Sequence, residues 1–129
     1  MGINILVVDD SRVMRSMIIK TLRMSGIAMG DVHEASNGLE GLEALSGQWM
    51  DLVILDINMP VMNGEEMMIQ MKSNPEMQDI PVIVVSTEGS KTRIDSLIKM
   101  GARFVHKPFT PEIIRDVVNK SLDIGGDHE

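Results

Sequence analysis

A doubly wound (βα)5 sandwich on a five-stranded parallel sheet is the fold class this sequence predicts. Three observations lead to it. Short β-branched runs alternate with longer helical patterns along the whole chain. The clearest runs, INILVV and IPVIVVS, are almost continuously apolar, which marks strands buried on both faces. Each run is followed by a helical pattern, and right-handed crossovers then cover a parallel sheet on two sides.

Residues 3–8 read as the first strand, and Ser11 is placed to cap the helix that follows. Val13, Met14, Met17, Ile18 and Leu22 form that helix's apolar stripe, with Gly26 near its end. A weak strand from Val32 to Ala35 leads to Asn37 as a cap and to a helix through Leu39, Leu42 and Leu45. Gly41 inside it costs about 1 kcal/mol relative to alanine. Leu52–Leu55 is the third strand, followed by a helix over 64–73. Pro75 and Pro81 bracket a loop before the fourth strand, and a helix over 92–100 is closed by Gly101. Arg103–His106 forms the fifth strand. The last helix spans 111–123, with Thr110 as its cap and Pro111 at its first position.

The chain has 129 residues, enough for one domain with a proper core and too few for two. We expect that domain to occupy 1–124, with a polar tail at 125–129 and no output domain. The formal charge of −7, without any basic stripe, argues against a nucleic-acid partner. The absence of cysteine excludes disulfides and thiolate metal sites. The opening MGINILVVDD is too short an apolar run for a signal peptide or a membrane span. A soluble, cytoplasmic protein is therefore expected. Thirteen methionines read as core filler; Met67, Met68 and Met71 have helix-core spacing.

In a parallel sheet all C-terminal strand ends share one edge, where open α/β folds bind ligands. Asp9-Asp10 close the first strand, Asp56 the third, and Ser86-Thr87-Glu88 the fourth; Lys107 follows the fifth. Taken singly, each has an ordinary role, the acid pair in a turn and the lysine in solvent. Jointly they put three acids, a hydroxyl and a lysine at one place. Crowded carboxylates need compensation, and a hard divalent cation such as magnesium supplies it. An aspartate carboxylate is also a competent phosphoryl acceptor, which Lys107 and Ser86 could assist.

At these residues the sequence resembles the response-regulator receiver domain, most closely its stand-alone chemotaxis type, with the flavodoxin/CheY-like fold. ILVVDDSRVMR, EASNGLEGLEAL, DLVILDINMPVMNG, PVIVVSTE and GARFVHKPF carry the match, from Ile3 to about Leu122. The resemblance implies that Asp56 takes the phosphoryl group from a CheA-like histidine kinase or a small donor. It implies magnesium, or manganese in its place, on Asp10, Asp56 and the Asn58 carbonyl, with Asp9 acting through water. Lys107 would contact the phosphoryl oxygens, and its bond to Pro108 is expected to be cis. Ser86 and Phe104 would form a switch pair, with Phe104 and His106 on one side of the strand. An effector, possibly the flagellar switch, would then dock on the face of the fourth helix, fifth strand and last helix. Asn58 and Glu88 match positions that tune turnover toward a short-lived phosphoryl group, with or without a phosphatase partner. Thr87 stands where the family usually has a small residue, and Phe104 replaces a tyrosine.

Two rivals are weaker. Aspartate-nucleophile phosphatases carry the nucleophile at the end of the first strand and a second Asp two residues later, whereas Ser11-Arg12 follows here. No G-x-G-x-x-G follows the first strand, as a dinucleotide enzyme needs. A receiver serving a phosphorelay or another non-motility effector would present the same residues.

Overall fold

The computed structural model describes residues 2–122. Along them strands and helices alternate as β1 (Ile3–Val8), α1 (Arg12–Met24), β2 (Met29–Ala35), α2 (Gly38–Gly47) and β3 (Leu52–Leu55). They continue as α3 (Gly64–Lys72), β4 (Val82–Ser86), α4 (Lys91–Lys99), β5 (Arg103–His106) and α5 (Pro111–Ser121). The five strands form one sheet in the order β2-β1-β3-β4-β5, and every pairing is parallel. The predicted (βα)5 sandwich is the observed fold. Residue 123, to which the sequence extended the last helix, and the tail 125–129 lie outside the described residues.

Strand alternation divides the core in two. On one face Ile5, Val7, Leu52, Ile54, Ile83, Val85 and Val105 pack under α1 and α5, which contribute Ile18, Leu22, Ile114 and Val118. On the other face Leu6, Val8, Val53, Leu55, Val82 and Val84 lie under α2, α3 and α4. There Leu45, Leu97 and the buried trio Met67, Met68 and Met71 fill the space, as the helical methionine spacing predicted. Gly41 has a packing reason for its helical cost: a Cβ there would lie 2.8 Å from the Met67 methyl and 3.3 Å from Val8. The α2 backbone can therefore approach α3 and β1 closely.

Several boundaries and faces differ from the sequence reading. The second strand begins at Met29 rather than Val32, because MGDVHEA is a polar edge strand with only Ala35 buried. Its pairing with β1, through a register shift between Ile3 and Ile5, supplies what its composition does not. In α1 only Ile18 and Leu22 are buried; Val13 is 70% and Met17 55% exposed, so the predicted stripe is too wide. Leu39 is likewise exposed. The fourth helix starts one residue early, at Lys91, because the Ser90 side chain accepts from the Arg93 N–H and caps it. Ser11, Asn37 and Thr110 cap their helices as expected. Among the described residues no helix is long and apolar enough to cross a membrane.

Candidate functional site

β1 and β3 are neighbours, with Val8 opposite Leu55, so Asp9 and Asp56 leave the sheet side by side. The ladder runs to the acids themselves: the Asp56 N–H donates to the Val8 carbonyl at 2.9 Å and the Asp9 N–H to Ala35 at 3.1 Å. Asp10 follows, exposed to solvent. One carboxylate oxygen from each of Asp9, Asp10 and Asp56 can be chosen so that all lie within 4.8 Å of one another.

Lys107 reaches this cluster from the end of β5. Its ammonium lies 3.2 Å from Asp9 and 3.7 Å from Asp56, and all three side chains are nearly enclosed. The Lys107 N–H donates to the Ser86 carbonyl at 3.0 Å, and the Lys107–Pro108 peptide is cis. Asp9 has both oxygens engaged, one by the Ser11 N–H at 2.9 Å and the other by Lys107. Arg15, itself paired with Glu34, donates to the Asp9 carbonyl at 2.6 Å and steadies the turn.

Burial pushes the Asp56 carboxyl above its usual value. The Lys107 charge opposes that, the Asp9 charge adds to it, and the Ile57 N–H and Ser86 hydroxyl favour the ionised form. Ser86 is buried, and its hydroxyl accepts from the Glu88 N–H at 3.1 Å. Three carboxylates against one ammonium leave an excess of two negative charges. An all-oxygen donor set with that excess suits a hard divalent cation.

The loop leaving β3 turns sharply. The Met62 N–H donates to the Pro60 carbonyl at 2.7 Å, and Val61 takes φ of 68°, costly for a β-branched residue. Gly64 opens α3 directly against the Asp56–Ile57 backbone. Its N–H donates to the Ile57 carbonyl at 2.8 Å, and a Cβ there would run into the Asp56 carbonyl oxygen.

Around the rim, Asn58 donates to Glu88 at 3.1 Å, and Arg93 donates to both Asn58 and Glu88 at 2.9 Å. Arg93 also grips Glu65 on α3 through Nε and Nη2, the shorter bond being 2.6 Å. The Asn58 side chain first, and then the Ser90 N–H, depress the Glu88 carboxyl below its usual range. Phe104 packs against the α2–α4 side of the core, and its ring meets His106 edge-on at 4.9 Å. Val105 lies in the opposite core, as strand alternation requires. Thr87 lines a mainly apolar cleft with Met14, Met17, Lys107, Pro108 and Phe109.

Of the residues singled out from sequence, Asp9, Asp10, Asp56, Ser86 and Lys107 come together at one point. Asn58, Thr87 and Glu88 stand at its rim, and Phe104 lies on β5 in the core beside α4. Sequence reasoning missed Arg15, Glu65 and Arg93. Nothing in linear spacing signals them, since Glu65 and Arg93 are 28 positions apart and read as ordinary surface charges.

The model of the response regulator receiver domain matches residues 5–119. The chain belongs to the response regulator receiver family. A chemotaxis protein CheY homolog of Campylobacter jejuni is 37% identical over 123 residues, covering 94% of this chain and 93% of that protein. Chemotaxis protein CheY1 of Helicobacter pylori (strain 26695) is 38% identical over 114 residues, 87% of this chain and 90% of the relative. Among solved structures, the chemotaxis response regulator CheY4 of Vibrio cholerae superposes with a TM-score of 0.82 at 30% identity. That match covers 95% of this chain and 100% of the other. As a receiver domain the chain is a phospho-accepting regulatory switch rather than a true enzyme.

Proposed function

We propose that this receiver takes its phosphoryl group on Asp56 in a magnesium-dependent reaction and so changes its affinity for a protein partner, with control of the flagellar motor as the output. One observation carries the reading: three carboxylates converge within 4.8 Å beside an enclosed lysine, at the end of a central strand. The similarity to chemotaxis proteins at 37–38% identity supports the motility output.

Receiver domains are phosphorylated by histidine kinases, so a CheA-like kinase is the proposed donor. An Asp56 oxygen attacks phosphorus, the phosphorus–nitrogen bond of the phosphohistidine breaks, and the imidazole departs. Asp10, Asp56 and the Asn58 carbonyl would hold the cation, while Asp9, whose oxygens are already engaged, would act through water. A bound divalent cation offsets negative charge gathering on the phosphoryl oxygens. Lys107 moves from its carboxylate partners to a phosphoryl oxygen, and the Ser86 hydroxyl reaches another. Phe104 then follows Ser86 inward and reshapes the α4–β5–α5 face that an effector reads. Thr87, beside Lys107, narrows the approach for donor, water or an external phosphatase. The functional unit is a receiver over 1–124 with a polar tail at 125–129, acting in the cytoplasm.

The test is intact mass after incubation with an acyl-phosphate donor and magnesium. Wild type gains one phosphoryl group and Asp56→Asn gains none; an equal gain in both sinks the assignment. Multiple turnover of phosphomonoesters would favour a phosphatase instead. For the output, a flagellar switch protein is retained only by the beryllofluoride-treated chain. Retention of a different effector alone overturns the motility reading.

A further inference from the structure

We propose that Arg93, anchored by Glu65, is a positioning residue that prolongs the phosphoryl group on Asp56 by occupying the polar groups of Asn58 and Glu88. The inference rests on the phospho-acceptor reading of Asp56 and revises the short lifetime that Asn58 and Glu88 alone suggest.

Asn58 lies two residues past Asp56, and Glu88 two past Ser86, with its N–H on the Ser86 hydroxyl. Both therefore rim the mouth of the acidic site. Loss of the phosphoryl group requires a water oxygen to bond to phosphorus while the bond to the Asp56 oxygen breaks. The carboxylate is regenerated, and both water protons leave on H2PO4−. That water must stand in line with the breaking bond, and a rim acceptor with a free lone pair can hold it there by accepting its O–H.

Here Glu88 Oε1 carries two donors, and Glu88 Oε2 and Asn58 Oδ1 each carry one, so the clamp fixes where any remaining lone pair points. Glu88 Oε1 accepts from Asn58 at 3.1 Å and from Arg93 at 2.9 Å, while Oε2 accepts from the Ser90 N–H at 2.9 Å. The Asn58 side-chain oxygen, Oδ1, accepts from Arg93 at 2.9 Å. These bonds are charge-assisted, the stronger class. Arg93 cannot swing away without releasing Glu65, which its Nε and Nη2 hold on the first turn of α3. The guanidinium's fork shape lets one side chain serve both partners at once. The clamp thus ties the β4–α4 loop to α3 across the site's rim.

The test uses the full chain, loaded from an acyl-phosphate donor with magnesium and then freed of donor, with half-life followed by intact mass. Arg93→Ala shortens the half-life by about 5-fold, the scale of one ordinary net hydrogen bond. Glu65→Gln shortens it less, and Lys91→Ala, on the same helix but paired in solvent with Asp95, leaves it unchanged. In an Asn58→Ala/Glu88→Ala background Arg93→Ala has no further effect, because the guanidinium acts through those two side chains. Without magnesium or donor, hydrogen exchange at the Ser90 amide rises in Arg93→Ala. An unchanged or longer half-life, unaltered Ser90 exchange, or a full effect in the double-variant background overturns the proposal. A wild-type chain that never gains the phosphoryl mass overturns the acceptor reading and this proposal with it. A loaded wild type whose lifetime ignores Arg93 overturns this proposal alone.

Discussion

Two cations stand at the same sheet edge, and their surroundings differ. Lys107 is enclosed between Asp9 and Asp56, 12% exposed, at 3.2 and 3.7 Å, and it faces more negative charge than it can balance. Arg93 is 31% exposed and has its guanidinium matched to Glu65, Glu88 and Asn58. The first arrangement stores an electrostatic imbalance that an incoming cation and phosphoryl group can relieve. The second is a satisfied network that fixes where side chains stand. One set of charges is built for chemistry, the other for geometry.

The largest expected effect comes from removing the enclosed cation. Lys107→Met leaves Asp9 and Asp56 facing each other and destabilises the metal-free fold by about 3 kcal/mol, as measured by urea unfolding. Magnesium should restore much of that loss; a loss equal to that of Arg93→Ala would erase the distinction between the two regions. Next, Gly64→Ala forces a methyl against the Asp56 backbone and should cost about 2 kcal/mol. It should also slow phosphoryl uptake, because α3 carries both the support of the Asp56 backbone and the Glu65 anchor. Arg93→Ala itself should cost only about 1 kcal/mol, since its ion pairs are partly solvated.

The smallest effects separate the regions by sign. Burial raises the Asp56 carboxyl, so in metal-free protein its charged form weakens the fold above its folded pKa. Asp56→Asn should therefore raise the melting temperature at neutral pH, and the advantage should shrink as pH falls through the carboxylate range. Glu88 is depressed by Asn58 and Ser90, so its charged form strengthens the fold. Glu88→Gln should melt lower at neutral pH, with the gap closing as pH falls through the depressed value. Gaps of the same sign would refute the contrast.

The legible parts of the molecule were those with strong local patterns. INILVV, LVIL and IPVIVVS place apolar residues on both faces, so their burial needed no partner to be inferred. The acids could be assembled because a parallel sheet aligns strand ends, whatever the intervening sequence. β2 was only half legible, because MGDVHEA forms a strand through pairing with β1 and not through composition. Val13 and Met17 misled because helical periodicity identifies an apolar stripe but not the width that neighbours cover.

The order of elements, the strand ends that carry Asp9, Asp10, Asp56, Ser86 and Lys107, and the methionine core of α3 can all be read from the amino-acid chain before it folds. These follow from side-chain periodicity and chain direction, which are local properties. Tertiary structure alone decided that Gly41 and Gly64 must be small, and that Arg93 reaches Glu65, Glu88 and Asn58. Those outcomes depend on distances between elements remote in sequence. Close packing and hydrogen bonding act over a few ångströms, so they exist only once the helices have docked.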